Sequence, residues 1–379
     1  MPQPTAQPTA QPATAQPAAA QPGTAQPAVI GLIGAGWRAE YFLRIARDLP
    51  ERFVVARVLV RTEASATSVG QKWGVPTGTS LADFVKNDFD YVVVSAPWDA
   101  VPELIEALVA AGIPVLSETP PAPDVAALRS LWGSVGGAGV QVAEQYHLQP
   151  HHAARLAVVR SGLIGEVSSA RVSVAHGYHG VSLARLYLDV GFEPVTVRAD
   201  GLTDPLLSSN GRVGWKETLE PVPGRRTVAL LRFGAKSAVF DFTDEQYFSP
   251  VRSRHLSVRG DRGEIWDNTV SHLAGPGDPV TGELQRDVTG VESELSGNYL
   301  RRVTLHTEVY FENRFAPARL NDDEIAVAES MHRMSVFVAT GEPFYPLAEA
   351  SHDHYLGLLI DEAAVTGETV RSEAMPWQA

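Results

Sequence analysis

Residues 28–39 read AVIGLIGAGWRA, an apolar run that leads into a glycine-rich turn. The apolar run predicts a buried strand, and residues 37–48 have the pattern of a helix. Between them, residues 34–39 form a G-x-G-x-x-A turn. Gly34 permits the tight turn, Gly36 lets a pyrophosphate approach the backbone, and Ala39 lets the helix pack closely on the strand. Strand, turn and helix together favour dinucleotide binding over a plain turn.

The chain continues this alternation up to residue 146, which indicates a parallel, doubly wound sheet. The sequence thus predicts an N-terminal Rossmann dinucleotide-binding domain over residues 28–150. Further strands are expected at 53–60, 90–97, 113–118 and 140–146, with helices at 63–73, 81–85, 101–112 and 122–135.

The character of the chain changes after a helix at 151–161. Closely spaced strands with few helices between them are typical of a largely antiparallel sheet. We therefore expect an α+β substrate-binding and oligomerisation domain over residues 151–379, in an α/β protein. Its strands are predicted at 168–176, 194–202, 226–234, 237–244, 254–260, 263–268 and 300–307, with a loop at 271–299 and helices at 321–339 and 351–366.

Composition excludes several classes of protein. Hydrophobic residues make up 44% of the chain and charged residues 20%, which is an ordinary globular balance. The net charge of −13 disfavours a nucleic-acid or anionic-membrane partner. With no cysteine, disulfides, thiolate metal sites and a cysteine nucleophile are excluded. No apolar run suits a membrane helix, no secretory signal is apparent and no metal site stands out, so the cytoplasm is the expected location.

Residues 1–27 have a composition of their own, in which Gln-Pro recurs every few residues without charged or aromatic side chains. Such a segment buries too little apolar surface to offset its ordering entropy. It is expected to be a disordered tail, or else the product of a wrongly assigned start codon.

The end of the second strand bears on the choice of cofactor. An enzyme that uses NAD usually has an acid there for the ribose 2′-hydroxyl, whereas this chain has Arg61 and Thr62. Arginine pairs with a 2′-phosphate and threonine can donate a hydrogen bond to it. The pair favours NADP over NAD, although Arg61 would also fit as a solvated side chain or stacked on the adenine.

Several stretches beyond the glycine turn match one family in order and spacing. Over residues 28–370 the chain resembles the Gfo/Idh/MocA oxidoreductases, which include glucose–fructose oxidoreductase and inositol dehydrogenase. The resemblance implies a Rossmann domain followed by an α/β domain with a large open sheet. It rests on GLIGAG (31–36), DYVVVSAP (90–97), AGIPVLSETP (111–120), SGLIGEV (161–167) and VRGDRGEI (258–265).

The chain departs from the family pattern where that pattern carries acid–base chemistry. The E-K-P motif of the family is Glu118-Thr119-Pro120 here, and threonine cannot hold a positive charge. The family's H-x-x-D helix start keeps only its histidine, His179. Lys216 is most simply a surface lysine rather than a replacement for the lost one.

The resemblance places His147, His176, Tyr178 and His179 near one cleft. We predict His179 as the acid–base residue, with Tyr178 or His147 orienting the substrate oxygen. His176 is more simply a strand-end residue bonded to backbone. The predicted cofactor contacts are Gly34, Ala35, Gly36, Trp37, Arg38, Arg61, Thr62, Ala96, Pro97, Trp98, Glu118, Thr119 and Gln145.

Three functional hypotheses follow from the sequence and the resemblance. The first is an NAD(P)-dependent oxidoreductase that transfers a hydride to or from a sugar, polyol or related hydroxy or keto compound. The second is a lyase or glycosidase that retains NAD and oxidises its substrate transiently. The third is an inactive dinucleotide-dependent sensor or partner protein, to which the missing lysine lends support. A large exposed sheet face would also predict a homodimer or homotetramer.

Overall fold

The computed structural model describes residues 26–211, 214–290 and 297–378. Most of the Gln-Pro-rich segment therefore lies outside the described residues. The first sheet contains β1 (Ala28–Ile33), β2 (Phe53–Leu59), β3 (Thr77–Gly78), β4 (Tyr91–Val94), β5 (Val115–Ser117) and β6 (Val140–Val142). The helices that alternate with them are α1 (Ala39–Asp48), α2 (Glu63–Trp73), α3 (Leu81–Phe84), α4 (Val101–Ala110) and α5 (Val125–Val135).

The strands of the first sheet are all parallel, in the order β3-β2-β1-β4-β5-β6. This is the doubly wound arrangement that the sequence predicts. Local signals set the helix ends: the Thr62 side chain accepts a hydrogen bond from the Ser65 amide at the start of α2, and Gly74 ends that helix in the left-handed conformation. Because the strands are parallel, their carboxyl ends meet at one edge of the sheet.

Over the described residues the second sheet has eleven strands, which confirms the predicted large, mostly antiparallel sheet. Among these strands only β7 and β10 pair in parallel. Its strands are β7 (Val167–Ser173), β8 (Val195–Gly211), β9 (Gly214–Phe233), β10 (Lys236–Thr243), β11 (His255–Gly260), β12 (Gly263–Trp266), β13 (Thr269–Gly275), β14 (Asp278–Thr289), β15 (Tyr299–Leu305), β16 (Glu308–Glu312) and β17 (Val370–Arg371). The remaining helices are α6 (Pro150–Arg160), α7 (Gly177–Leu188), α8 (Asp322–Thr340) and α9 (Leu347–Thr366).

The predicted loop over residues 271–299 is wrong for most of its length. Strands β13 and β14 pair from Thr269 opposite Glu283 to Gly275 opposite Asp278. The Gly and Pro residues that suggested a loop are concentrated at the tight turn, where Gly277 has a φ of 73°. The strands on either side of that turn carry enough alternating apolar residues to pair.

The C-terminal helices return to the first sheet. The Tyr91 hydroxyl on β4 donates to the backbone carbonyl of Met331 on α8 at 3.1 Å. The Gln141 side chain on β6 accepts from the backbone amides of Phe344 and Tyr345 at 2.9 and 3.0 Å. The sequence boundary at residue 150 stays a prediction, since residues after it pack against both sheets. Within the described ranges, no helix is long and apolar enough to cross a membrane.

Candidate active site

A cavity of about 1140 Å³ lies at the carboxyl ends of the parallel strands, where the start of α7 faces them. Every residue that the sequence predicts to bind the cofactor lines this cavity, as do Tyr178 and His179. The second domain adds His176, Tyr247, Phe248 and Arg254 to its wall. The cavity thus joins a dinucleotide-type turn to a cluster of titratable and aromatic side chains.

The glycine turn has the geometry that a bound pyrophosphate requires. Gly34 has a φ of 118°, and a Cβ there would lie 2.0 Å from the Ser95 carbonyl oxygen, so only glycine fits. A Cβ on Gly36 would meet no atom within 4 Å. Among the described residues no side chain caps the N-terminus of α1, whose positive dipole end faces this turn, although the amides of Glu40 and Tyr41 already donate to backbone carbonyls. Open space and a positive helix end therefore coincide at this turn.

Two buried polar atoms on the cavity wall have no hydrogen-bond partner among the described residues. They are Nη2 of Arg38, a donor, and Oε1 of Gln145, an acceptor. Arg38 is held by Glu118, with 2.8 Å between its Nε and Oε1 of the carboxylate. An unsatisfied buried donor and acceptor are costly unless a ligand completes them. The residues present therefore fit a nicotinamide dinucleotide, whose phosphates accept hydrogen bonds and whose carboxamide both donates and accepts.

The end of β2 lies on the cavity wall, as expected, but its two residues differ in availability. The Thr62 hydroxyl accepts from the Ser65 amide at 3.2 Å and donates to the Ser65 hydroxyl at 2.9 Å. Its oxygen therefore caps α2, and its one proton is already donated to the Ser65 hydroxyl. Arg61 is exposed and forms no salt bridge within the described part of the chain. Of the two, only Arg61 is left to meet a ribose phosphate.

His179 is hydrogen-bonded to a carboxyl group that the sequence predictions did not include. The distance from its Nδ1 to Oε2 of Glu144 is 2.6 Å, and both side chains are buried. The other carboxyl oxygen of Glu144 accepts from the Tyr146 amide at 3.1 Å. Glu144 follows β6 and His179 lies in the first turn of α7, so the pair links the two sheets. With Nδ1 occupied, Nε2 is the ring nitrogen left for a substrate.

Burial disfavours charge on both members of this pair. It raises the pKa of Glu144 to about 8, against a smaller opposing effect of the Tyr146 amide and the Arg38 charge. It lowers the pKa of His179 to about 3, and the Arg38 charge acts in the same direction. Near neutrality the pair is therefore a carboxylic acid and a neutral imidazole that share one proton.

Aromatic hydroxyls surround the Glu144–His179 pair. The Tyr178 and His179 rings lie 4.4 Å apart, and the Tyr146 and His179 rings 4.5 Å apart. Burial raises the pKa of Tyr178, and a hydrogen bond with the Thr119 side chain opposes this shift. Thr119 is thus a direct neighbour of Tyr178 at the position where the family pattern has lysine.

His176 is not simply a strand-end residue bonded to backbone through its side chain. Its ring Nδ1 lies 2.5 Å from the Tyr247 hydroxyl, which also accepts from the His176 amide at 2.9 Å. Tyr247 comes from the short helical turn after β10, far along the chain. The two residues extend the aromatic wall beyond His179, whose ring lies 5.2 Å from that of His176.

The structure places two other candidates away from the cavity. His147 is buried, but its ring stacks on Tyr345 at 5.2 Å and it does not line the cavity wall. Burial lowers its pKa to about 3. Lys216 is an exposed residue of β9 whose Nζ lies 3.9 Å from Glu220, in line with the surface interpretation. Within the described ranges no three His, Cys, Asp or Glu side chains group as a metal site would require.

Comparison with known proteins finds a family match for the N-terminal part of the chain. Residues 29–146 match the model of the GFO_IDH_MocA family, described as an oxidoreductase family with an NAD-binding Rossmann fold. The chain is 30% identical over 247 residues to the myo-inositol dehydrogenase Hyg17 of Streptomyces leeuwenhoekii. That match covers 63% of this chain, and the chain spans 65% of the length of that relative.

Solved structures of similar fold cover nearly the whole chain. An oxidoreductase from Agrobacterium radiobacter in complex with NAD+, L-tartaric acid and magnesium has a TM-score of 0.65 and 18% identity, covering 90% of this chain and 98% of its own. A myo-inositol dehydrogenase from Corynebacterium glutamicum has a TM-score of 0.63 and 16% identity, with coverages of 92% and 99%. At these identities the likeness establishes the fold alone. Residues 29–146 of this chain are thus similar to the NAD-binding Rossmann domain of the Gfo/Idh/MocA oxidoreductases.

Proposed function

We propose that this protein is an NAD(P)-dependent oxidoreductase that acts on a CH–OH group of a sugar, polyol or related compound. The observation that carries the proposal is the Glu144–His179 pair, joined at 2.6 Å, in which His179 lies on the wall of the cofactor cavity and Glu144 lies behind it. A hydride transfer that interconverts an alcohol and a carbonyl requires one proton to move at the substrate oxygen. The pair supplies a place for that proton. When bound, the nicotinamide supplies or accepts the hydride.

Proton transfer through the pair is balanced in either direction. For carbonyl reduction, Nε2–H of His179 protonates the substrate oxygen while Nδ1 takes the proton of the Glu144 carboxyl group. The pair is left as a carboxylate and a neutral imidazole. For alcohol oxidation, Nε2 accepts the hydroxyl proton and Nδ1 returns its own to Glu144. Tyr178 lies against His179 and donates a hydrogen bond to the same substrate oxygen in this proposal.

The aromatic wall of the cavity and the relatives both support this substrate class. Tyr146, Tyr178 and Tyr247 offer an aromatic surface and hydroxyl groups, which suit a polyhydroxylated ring. Relatives in sequence and fold include dehydrogenases of myo-inositol and of levoglucosan, the latter solved with NADH and levoglucosan at a TM-score of 0.66 and 15% identity. We therefore propose myo-inositol and levoglucosan as the first probes of activity.

The experiment that tests this function compares Gly36→Ala with Gly133→Ala. Both glycines have open space at Cβ and neither has a positive φ, but only Gly36 lines the cavity. The added methyl group at Gly36 enters the space assigned to the pyrophosphate, so the Kd for dinucleotide is expected to rise about tenfold or more. Gly133→Ala, within α5, should change neither the Kd nor turnover of the probes. Titration by fluorescence of the reduced nicotinamide measures both.

Two results would contradict the proposal in different ways. If the unmodified protein binds neither dinucleotide, the interpretation of the glycine turn is wrong. If it is purified with stoichiometric NAD and turns over substrate without releasing it, the function moves to transient oxidation by a retained cofactor. Mass spectrometry of the nucleotide released on denaturation distinguishes these results from an ordinary exchanging dehydrogenase.

We further propose a preference for NADP(H), supported by Arg61 alone since the Thr62 hydroxyl caps α2. Arg61→Gln is expected to weaken NADPH binding about tenfold and to leave NADH binding nearly unchanged, because a charged hydrogen bond to the 2′-phosphate is lost. Arg259→Gln is the matched control, because Arg259 is an exposed arginine of β11 that pairs with Glu264 outside the cavity. Equal effects of Arg61→Gln on both cofactors would contradict the preference.

We also propose a homo-oligomer, dimer or tetramer, and the long β8–β9 ribbon supports it. Residues 203–211 pair with residues 214–225 and, among the described strands, neither segment pairs with a third strand; an isolated two-stranded ribbon is marginal in water. Leu207 and Leu219 on the ribbon are 55% and 64% exposed. Leu207→Ser with Leu219→Ser should lower the mass measured by light scattering towards the 40.8 kDa of one chain. A monomeric unmodified protein would contradict this proposal.

A further inference from the structure

A second cavity, of about 240 Å³, lies between α6 and the outer strands of the second sheet. It shares no lining residue with the cofactor cavity. Two guanidinium groups contribute to its wall, in a chain whose net charge is −13. Its lining residues are His151, Arg155, Asn268, Leu284, Arg286 and Val303.

Arg155 is buried in this wall without an anionic partner. It is 7% exposed, and it forms no salt bridge anywhere in the described ranges. Its Nε donates to the Asp267 backbone carbonyl at 2.6 Å, and its Nη2 donates to Oδ1 of Asn268 at 2.9 Å. Both acceptors are neutral groups. The positive charge of Arg155 is therefore hydrogen-bonded but not compensated.

Arg185 is a second buried arginine, and it does have anionic partners. Arg185 is 3% exposed and lies 2.6 Å from Asp353 and 2.7 Å from Glu349. A buried charge is costly unless an opposite charge accompanies it. Arg185 meets that requirement twice and Arg155 does not. Unlike Arg185, Arg155 borders an open cavity, where a bound anion would provide the missing charge.

The remaining charges on the wall leave the cavity positive. Arg286 makes two hydrogen bonds to Asp322, at 2.9 and 2.7 Å, so these two charges balance. Hydrogen bonds from His151 and Arg286 outweigh burial and hold the pKa of Asp322 at about 2, so it stays ionised. Burial lowers the pKa of His151, which keeps it neutral near pH 7. Arg155 therefore supplies the net charge that the cavity presents.

We propose that this second cavity binds a small oxyanion, a phosphate or carboxylate group, with Arg155 as its main partner and Arg286 as a second donor. Leu284 and Val303 form an apolar part of the wall, which suits an organic group attached to the anion. The inference does not depend on the dehydrogenase function. A planar guanidinium fork is well matched to either class of anion.

Thermal unfolding with inorganic phosphate tests the proposal. At constant ionic strength, against chloride, phosphate should raise the Tm in a saturable manner. Saturating NADPH or NADH is present throughout, so that phosphate binding at the Gly36 turn does not contribute. Acetate and citrate titrations, run in parallel, show whether the site prefers phosphate or carboxylate. The Kd for the preferred anion should rise at least about tenfold in Arg155→Gln and about threefold in Arg286→Gln.

Arg259→Gln, outside the cavity, should leave the anion Kd unchanged. If Arg155→Gln does not fold, Arg286→Gln tests the proposal instead, because Arg286 is partly exposed and its replacement should not unfold the protein. Its loss leaves the Asp322 carboxylate unpaired, and that carboxylate repels an anion. No saturable response to any of the three anions in the unmodified protein would overturn the proposal. An equal response in Arg286→Gln, and in Arg155→Gln where it folds, would also overturn it, since the anion would then bind elsewhere.

Discussion

Glu144→Gln is expected to lower kcat about 10²- to 10⁴-fold, the range found when a positioned acid or base is lost. Glutamine has the shape of the protonated carboxyl group and keeps a hydrogen bond to Nδ1 of His179, but it cannot exchange a proton. Binding of dinucleotide should change little, because Glu144 is not on the cavity wall. The effect should therefore appear in kcat rather than in the Kd for cofactor, by stopped-flow and steady-state kinetics.

The pH profile makes this prediction more specific. Alcohol oxidation requires the carboxylate form of Glu144, whose pKa burial raises to about 8. The kcat/KM for oxidation should therefore rise with pH through that region, and the kcat/KM for carbonyl reduction should fall there. In Glu144→Gln this pH-dependent limb, the rise or fall of kcat/KM near the pKa of Glu144, should disappear from both profiles. His179→Ala should remove it as well, since the proton reaches the substrate only through the imidazole ring.

A loss of activity through unfolding would mimic the loss of a proton carrier. Asp353→Asn provides the control, because Asp353 and Glu144 are both 2% exposed and Asp353 lies outside the cavity. It breaks a buried ion pair with Arg185, so the Tm should fall while kcat per folded molecule stays near that of the unmodified protein. A pH limb retained in Glu144→Gln would remove the pair from the proposed chemistry.

The fold was predictable where local pattern and topology agree. Residues 28–146 alternate short apolar runs with helices, and each element except the two-residue β3 was predicted from its own residues. The β13–β14 hairpin was missed because Gly275, Gly277 and Pro279 dominate the local composition, although they lie at the turn and at the strand ends beside it. The length of the β8–β9 ribbon was missed because its outer residues bury too little to leave an apolar signal.

The site residues were likewise predictable where they belong to local motifs and not where tertiary packing joins them. The residues predicted to bind the cofactor belong to short motifs at strand ends. In a parallel sheet those carboxyl ends always meet at one edge. Glu144 and His179 lie 35 residues apart, and His176 and Tyr247 lie 71 apart, so only tertiary packing joins them. The one available signal for Glu144 was its place just after β6. The position of His147 could not be predicted from adjacency: Tyr146 beside it lines the cavity, but the short turn directs His147 against Tyr345.

Arg38→Met is expected to move the pH-dependent rise of kcat/KM for alcohol oxidation to higher pH. It should also lower kcat/KM for oxidation at neutrality about tenfold or more. The Arg38 charge lowers the pKa of Glu144 and that of His179. Removing it therefore raises both values, and the pair keeps its proton to a higher pH. The Glu118 carboxylate, freed from its 2.8 Å contact with Arg38, would add negative charge to the cavity and act in the same direction.

Arg38→Lys separates the charge from the hydrogen bonds. Lysine retains the positive charge but not the planar fork, so the pH limb should stay near its original position while the donor at Nη2 is lost. A higher Kd for dinucleotide in Arg38→Lys, at an unchanged limb, would assign that buried donor to the cofactor. A limb that does not move in Arg38→Met would show that the charge does not act on the pair. With Thr119 unable to carry a charge, Arg38 is a cation on the cavity wall whose charge acts on both Glu144 and His179, and its ion pair with Glu118 ties it to the same Glu-Thr-Pro motif.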